Sequence, residues 1–267
     1  MKTNRIRLGV IGAGGRMGRE IVQLALKDSA FTEITPFEHL KYPDDYLQVF
    51  DQSRNTMSSL KIIKEIEKFK NEIDVLIDFS LPASTKLAIE VSLLHRIPLV
   101  VGTTGIESLE SQIQTAASEI PIFVSPNMSV GVNLCFKLAS VATKALGDDY
   151  DIEIFEAHHR GKRDAPSGTA LKFGNLIADA LGQDTLENAV YERKGQDTAR
   201  KENTIGFQSM RAGDIVGDHT IMFAGDGERI EITHRATNRA AFVVGALKAA
   251  KWLIHQDHGL YSFDDLL

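Results

Sequence analysis

Residues 156–171 hold the densest group of side chains that could do chemistry. Two histidines and three cations lie close together there, in a chain whose formal net charge is -6: His158, His159, Arg160, Lys162 and Arg163. Local positive charge of this kind favours an anionic substrate. Histidine exchanges protons near neutral pH, so His158 or His159 is a candidate proton carrier. Lys162 could act as a point charge or, because neighbouring cations favour loss of its proton, as a general acid.

A predicted helix start follows this loop. Pro166 fits the first turn of a helix, and the pattern predicts a helix over 167–181. The N–H groups of Gly168 and Thr169 would be among those without an intrahelical partner, and with the Thr169 hydroxyl they would form a cradle for a carboxylate. The alternative is that the histidines cap a strand and the cations form a solvated loop. The adjoining anion cradle favours a substrate site.

This combination suits reduction of an imine-like C=N bond or a conjugated C=C bond. Hydride transfer to such a bond needs a proton at the atom that gains charge. Cation, proton donor and hydride donor therefore belong together. We predict a reductase that acts on a small, carboxylate-bearing substrate and binds a nicotinamide cofactor.

A glycine-rich turn near the N-terminus supplies the expected cofactor site. An apolar run over 6–11 precedes Gly12-Ala13-Gly14-Gly15-Arg16-Met17-Gly18, and a helical pattern follows. Glycines there permit a tight turn, approach of the backbone to a pyrophosphate and close packing of helix on strand. Met17 occupies the third glycine position of G-x-G-x-x-G and Gly18 comes one later, so that G-x-x-G-x-x-G fits better. The alternative is a tight loop without a ligand.

Glu38 and His39 follow the second predicted strand, over 31–37. Glu38 is placed to accept hydrogen bonds from an adenosine ribose, although it could also be a solvated surface acid. Its carboxylate would repel the extra phosphate of NADPH, whereas Arg16 and a protonated His39 would attract it. Both NADH and NADPH therefore stay open as the cofactor.

Two further loops follow predicted strands and could flank the nicotinamide ring. They consist of Gly102, Thr103 and Thr104 after the run over 97–101, and of Ser125, Pro126, Asn127 and Met128 after the run over 121–124. Without the glycine-rich turn, the residue types of these two loops would be explained equally well by ordinary turns that bind no ligand.

Strands alternate with helices in the first half of the chain, which predicts a Rossmann-like, doubly wound parallel sheet. Further along, the pattern predicts a second α+β lobe, and the alternation over 204–233 is typical of antiparallel strands. An apolar helix over 240–254 could pack back on the first lobe. We expect a dinucleotide-binding domain of residues 1–127 and 240–267, and a substrate-binding domain of residues 128–239.

Composition narrows the choice of partners. The chain is 43% hydrophobic and 25% charged, which is typical of globular proteins, and its negative charge does not favour nucleic acid. The single cysteine, Cys135, cannot form an internal disulfide, and no Cys/His cluster has metal-ligand spacing, so we expect a reducing cytoplasm and no metal. The apolar run over 8–11 is too short for a signal peptide or a membrane span.

These motifs resemble the family of dihydrodipicolinate reductase (4-hydroxy-tetrahydrodipicolinate reductase) of bacterial lysine and diaminopimelate synthesis. The resemblance spans nearly the whole chain, and its most specific block is 156–171. The other matching segments are the glycine turn, Asp78-Phe79-Ser80, 102–105, 129–133 and 211–217.

The resemblance implies reduction of 4-hydroxy-tetrahydrodipicolinate, through its dehydrated form, with NADH or NADPH. It implies that His158 is the catalytic histidine, that Lys162 is the proton donor, and that the substrate carboxylate is contacted by His159, Gly168 and Thr169. The implied nucleotide-binding residues are Gly12, Ala13, Gly14, Gly15, Arg16, Met17, Glu38, Gly102, Thr103, Thr104, Ser125, Pro126, Asn127 and Met128, with His39 where some members have arginine. Family members form homotetramers through the sheet of the substrate domain.

Two other classes of protein stay open. A non-catalytic NAD(P)-sensing protein would keep the glycine turn but would need no proton donor such as Lys162. A semialdehyde dehydrogenase would need a cysteine thiolate, whereas Cys135 lies in an apolar helical pattern and is expected to be buried. Five polar residues lie in the later strand region, and most of them are expected at turns or on the surface: Asp214, Asp218, His219, His234 and Arg239.

Overall fold

The computed structural model describes residues 5–51, 55–68, 72–183, 186–196 and 199–267. The chain divides into two compact units, Met1–Val130 with Ala240–Leu267, and Gly131–Arg239. Residues 1–4 of the predicted first domain lie outside the described residues. Among the helices described, none is long and apolar enough to cross a membrane.

The strands and helices follow one another in the order β1 (Ile6–Ile11), α1 (Arg16–Ala25), β2 (Phe31–Phe37), β3 (Tyr46–Asp51), β4 (Thr56–Lys61), β5 (Val75–Asp78), α2 (Pro82–His95), β6 (Leu99–Val101), α3 (Glu110–Ala117), β7 (Pro121–Val124), α4 (Val130–Leu146), β8 (Asp151–His158), α5 (Gly168–Ala180), β9 (Ala189–Val190), β10 (Ile205–Arg211), β11 (Gly217–Gly225), β12 (Glu228–Ala236), α6 (Ala240–Leu253), β13 (Gly259–Tyr261) and α7 (Phe263–Leu266).

The first unit is built on a six-stranded parallel sheet with the order β13-β7-β6-β5-β1-β2. Its central strands are apolar on both faces, as Val75, Leu76 and Ile77 of β5 show by having no exposed surface. Such strands must be covered on both sides, and α6 packs its Val243 into the same core as Val10 of β1. The predicted doubly wound sheet is confirmed.

The region after β2 contains a hairpin that the sequence pattern did not predict. Strands β3 and β4 pair in an antiparallel manner, with Leu47 and Val49 buried in the core that includes α1. Beyond β4, Ile63 bridges to Phe37 at the end of β2, and Ile63 O accepts the N–H of Glu38 at 3.0 Å. This bridge carries Lys64 to the carboxyl end of β2.

The second unit contains a mixed five-stranded sheet with the order β12-β11-β8-β10-β9. Strand β11 is antiparallel to β12, as predicted for the run over 204–233, and also to β8. Strand β10 lies in the same run, but it is parallel to both β8 and β9. The reason is the helical crossover: α5 returns the chain to the other end of the sheet, so that the following strands enter in the direction of β8. One face of β8 packs Ile152 and Ile154 against Phe173 of α5, whereas Phe155 on the other face is exposed.

Candidate active site

The glycine turn between β1 and α1 has the tight geometry that the sequence predicts. Gly12 has φ +75°, in the left-handed region that favours glycine, and a Cβ there would overlap Phe79 O. A Cβ on Gly18 would overlap Gly12 O, so this glycine allows the helix to pack on the turn. The spacing through Gly12 and Gly18 is therefore required by the backbone itself.

The start of α1 is suited to an anion. Gly15 is the N-cap residue and provides no side-chain cap, and the first turn of this ten-residue helix has no acidic residue. Its N–H groups and its positive dipole end thus face no competing protein carboxylate within the first turn. Arg16 opens the helix and is exposed, while Ala13 is buried in the core and Met17 packs against it.

A cavity of about 550 Å³ opens beside the turn, a size in the range of small-molecule sites. Its lining includes Gly12, Gly14, Gly15, Glu38 and His39. Glu38 Oε1 accepts the N–H of Gly14 at 2.8 Å, which places the predicted ribose-binding carboxylate directly at the turn. The glycine backbone, the uncapped helix start and this carboxylate together fit a dinucleotide.

Tyr42 and Lys64 are among the lining residues that sequence reasoning missed. Tyr42 lies against Gly14, and its hydroxyl accepts a hydrogen bond from Arg19 at 2.9 Å. Lys64 reaches the cavity wall because of the bridge at Ile63, and it pairs with Asp45 at 2.6 Å. Only the unpredicted hairpin brings Lys64 there, so no local signal marked it.

The two predicted nicotinamide loops lie further along the same carboxyl edge of the sheet, after β6 and β7. Thr103 donates to the Asp78 carboxylate at 2.9 Å and accepts the N–H of Ser80 at the same distance. Burial raises the pKa of Asp78, and its hydroxyl donors oppose that rise. In the second loop, Ser125 donates to Asn127 O at 2.8 Å. Gly102, Thr103, Ser125 and Met128 are buried, Asn127 is half-buried, and Thr104 and Pro126 are exposed.

In the second unit, Glu156 is the centre of a buried network. Arg211 binds both carboxylate oxygens, at 2.7 and 2.8 Å, and His158 Nδ1 lies 2.5 Å from Oε2. Burial opposes ionisation of Glu156, but the donors led by Arg211 outweigh it and lower the pKa to about 2. Burial also lowers the pKa of His158, and the hydrogen bond to Glu156, which raises that pKa, offsets only part of the effect.

The cationic loop is anchored at both ends. Ala212 donates its N–H to His158 O at 2.9 Å, and Arg160 donates its N–H to Gly213 O at 3.1 Å. Lys162 Nζ lies 2.8 Å from the Asp164 carboxylate, a partner that sequence reasoning did not assign. The hydrogen bond from Lys162 holds the pKa of Asp164 below its usual range. His159, Arg160 and Arg163 are exposed.

The helix start after the loop differs from the prediction by one position. Ser167 is the N-cap of α5, with its Oγ accepting the N–H of Ala170 at 3.2 Å, so Pro166 precedes the cap and does not lie in the first turn. The shift arises because a serine hydroxyl caps a helix well. Gly168 and Thr169 are then the first two helical residues, as the carboxylate cradle requires.

His219 is buried, unlike most of the five polar residues of this region, which were expected at turns or on the surface. It is 4% exposed, its Nε2 lies 3.1 Å from Ser167 Oγ, and its ring contacts that of His158 edge-on with centroids 5.2 Å apart. Burial, with a smaller contribution from His158, lowers the pKa of His219 to about 3. Its alternation with Ile221 and Phe223 along β11 could have revealed its inward position.

Cys135 is buried within α4, as predicted, and burial raises the pKa of its thiol. A thiol in this state is a poor nucleophile. Within the described ranges, no group of three His, Cys, Asp or Glu side chains could hold a metal ion.

The parallel sheet with its glycine-turn pocket defines a dinucleotide-binding protein with a Rossmann-like fold. Two family models match the chain: "Dihydrodipicolinate reductase, N-terminus" over residues 6–128 and "Dihydrodipicolinate reductase, C-terminus" over residues 131–267. The chain therefore belongs to the dihydrodipicolinate reductase family, and the predicted resemblance is confirmed.

Individual relatives match over almost their full length. The 4-hydroxy-tetrahydrodipicolinate reductase of Saccharophagus degradans is 42% identical over 265 residues, and that of Methylococcus capsulatus is 44% identical over 263 residues; each match covers 98% of both chains. Among solved structures, a dipicolinate-bound dihydrodipicolinate reductase from Paenisporosarcina sp. TG-14 has a TM-score of 0.78 at 24% identity and covers 98% of this chain and 100% of that chain. Because this last pair shares only 24% identity, the match shows that the two chains have the same fold and nothing more.

Proposed function

We propose that this protein reduces 4-hydroxy-tetrahydrodipicolinate, through its dehydrated form, to tetrahydrodipicolinate in lysine and diaminopimelate biosynthesis, with NADH or NADPH as the reductant. Family membership and the dinucleotide pocket support the reaction type. The observation that carries the proposal is the network in the second unit. It ties His158, the Lys162 loop and the start of α5 to one another through Glu156 and Arg211.

The chain's own residues divide the work of the reaction. Bound NAD(P)H supplies a hydride, that is one proton with two electrons, from C4 of its nicotinamide ring. Gly168 and Thr169 bind a substrate carboxylate at the helix start, with His159 as a further contact. Lys162 donates the proton that balances the hydride, and His158 exchanges protons through the ring nitrogen that does not face Glu156.

The nucleotide is assigned to the first unit. The turn from Gly12 to Met17 holds the pyrophosphate, and Glu38 with His39 contacts the adenosine ribose. The loops at 102–104 and 125–128 flank the nicotinamide ring. Their position after parallel strands of one sheet supports this assignment, because ligands bind at the carboxyl ends of such strands.

A steady-state assay at 340 nm tests the function. With freshly generated 4-hydroxy-tetrahydrodipicolinate, we expect rapid oxidation of NADH or NADPH, and no oxidation without it. Nucleotide binding without oxidation would instead favour a sensor. Because Cys135 is buried, a thiol-alkylating reagent added to the folded protein should leave activity intact, and loss of activity would favour a semialdehyde dehydrogenase.

We also propose a homotetramer formed through the open face of the second unit's sheet. This face presents Phe155 and Met210, which are 41% and 57% exposed, beside Thr220 of the neighbouring strand. Light scattering of the wild-type protein should give four times the mass of one chain. Phe155→Lys should lower that mass, whereas Leu94→Lys on exposed α2 should not. A monomeric wild-type protein would contradict the proposal.

We also propose that the reaction takes place in the cytoplasm. A reduced, buried Cys135 and a biosynthetic reaction that consumes NAD(P)H support this location. Fractionation of cells followed by the 340 nm assay would test it, and activity outside the cytoplasmic fraction would contradict it.

A further inference from the structure

We propose that Glu156 is a positioning residue that fixes His158 in one tautomer and aligns it with the start of α5 and the Lys162 loop. The proposal deepens the function proposed above and rests on it. Glu156 itself is 3% exposed, so almost none of its surface is open to a substrate.

The acceptor capacity of the Glu156 carboxylate is fully used by protein donors. Its Oε2 faces His158 Nδ1 and Arg211 Nη1, while its Oε1 accepts from Arg211 Nη2 and, at 3.3 Å, from the N–H of Ser167. A bidentate guanidinium restricts rotation of the carboxylate as well as neutralising it. The carboxylate therefore has a fixed orientation that it can impose on His158.

The orientation of Glu156 determines which nitrogen of His158 carries the proton. An ionised carboxylate only accepts hydrogen bonds, so the nitrogen facing it, Nδ1, must be the donor in neutral imidazole. The lone pair is then on Nε2. Gly217 lies beside that nitrogen, and the absence of a side chain there leaves Nε2 uncovered on this side.

The same pair of residues fixes two other parts of the site. Arg211 Nη2 donates to Asp164 O at 2.6 Å, and the Asp164 carboxylate binds Lys162. Ser167, whose N–H binds Glu156, is the N-cap of the helix that begins with Gly168. One ion pair thus sets the relative positions of the histidine, the lysine loop and the anion cradle.

A second carboxylate on β8 provides a matched control. Glu153 faces the opposite side of the sheet and is held by Arg193 at 2.8 and 3.0 Å and by Arg200. It is thus another arginine-bound glutamate of the same strand. None of its described contacts involves the Lys162 loop or His158.

The decisive variant is Glu156→Gln. Arg211 Nη2 and the Ser167 N–H both require an oxygen at the Oε1 position, so the amide NH2 of the glutamine must face His158 Nδ1 and the hydrogen bond from Arg211 Nη1 is lost. His158 would then accept at Nδ1 and carry its proton on Nε2. We expect kcat to fall by at least about 10- to 100-fold, the range for carboxylates that orient metal-ligating histidines, with the Kd for NADH nearly unchanged.

Nitrogen-15 NMR of histidine-labelled protein reads the tautomer directly, with His158→Gln used to assign the signal. The wild-type protein should show the Nδ1–H form and Glu156→Gln the Nε2–H form, while Glu153→Gln should change neither the tautomer nor kcat. An Nε2–H form in the wild-type protein would overturn the inference even if neither glutamate variant folds. Equal losses of kcat in Glu153→Gln and Glu156→Gln would also overturn it, since they would indicate a merely structural role.

Failure of the wild-type protein to oxidise NAD(P)H would count against the proposed function. The tautomer of His158 would still test the inference in that case.

Discussion

Gly217 lies so close to His158 that a Cβ at residue 217 would be 3.1 Å from His158 Nε2. This distance is shorter than ordinary van der Waals contact, and His158 cannot easily retreat because its other ring nitrogen is bound by Glu156. The space at Gly217 is thus part of the environment of the nitrogen that we assign to proton exchange.

Gly217→Ala should impair catalysis more than stability. The added methyl group would displace the imidazole by a few tenths of an ångström, and misplacement of that order lowers kcat about tenfold. Steady-state kinetics and a thermal melt would measure both effects. Thr115→Ala, at an exposed position of α3 in the other unit, is the control and should keep full activity. An unchanged kcat in Gly217→Ala would show that His158 Nε2 does not take part.

Lys162→Ala should lower kcat by about 10²- to 10⁴-fold, because loss of a general acid has effects of this size. The Kd for NADH, measured by fluorescence titration, should be nearly unchanged. Arg163→Ala removes the same charge from the exposed neighbouring position and provides the control. If both variants lose activity equally, the effect is one of overall charge and Lys162 is not the proton donor.

Gly18→Ala should weaken both the fold and nucleotide binding. The new Cβ would overlap Gly12 O, so α1 must move away from the glycine turn. Overpacking of this kind costs about 1 to 3 kcal/mol of unfolding free energy. Urea unfolding and calorimetric titration with NADH would measure the two losses. A variant with wild-type stability and affinity would show that the turn tolerates a side chain at this position.

His219 should make stability depend on pH. In the unfolded chain it binds a proton below about pH 6.5, whereas burial lowers its folded-state pKa to about 3. As pH falls from 6.5 towards 3, proton binding therefore favours the unfolded state, and unfolding free energy decreases by up to about 1.4 kcal/mol per pH unit from this group.

His219→Gln isolates this contribution, since the amide can keep a hydrogen bond to Ser167 while losing the titration. Urea unfolding at pH 7 and pH 5 should show a smaller decrease in the variant than in the wild-type protein. Equal decreases would mean that His219 already binds its proton in the folded state.

The sequence predicted local features of the fold well. The bounds of β1 and β2 follow directly from their apolar runs, and the turn at Gly12 follows from its glycines. The hairpin of β3 and β4 was missed because only one of its strands contributes buried residues, such as Leu47. The direction of β10 depends on the crossover through α5, which period-two patterning does not reveal.

The candidate site was predictable where its residues are neighbours in the chain. His158, Lys162 and Gly168 lie within one short segment, so their types and spacing sufficed. Arg211 is 55 positions from Glu156, and only the register of β10 against β8 brings the two together. Long-range pairing of this kind has no local pattern, and for that reason the partner of Glu156 emerged only from the structure.

The unit that holds the glycine turn draws its core from distant parts of the polypeptide, since Val10 packs with Val243 and β7 pairs with β13. A translating ribosome must therefore release residues 240–261 before this sheet can acquire its outermost strand and its covering helix. Residues 131–239 are contiguous and leave the exit tunnel earlier. Until residues 240–261 are available, the nascent chain carries an incomplete parallel sheet whose exposed apolar surface and unpaired strand edge favour aggregation.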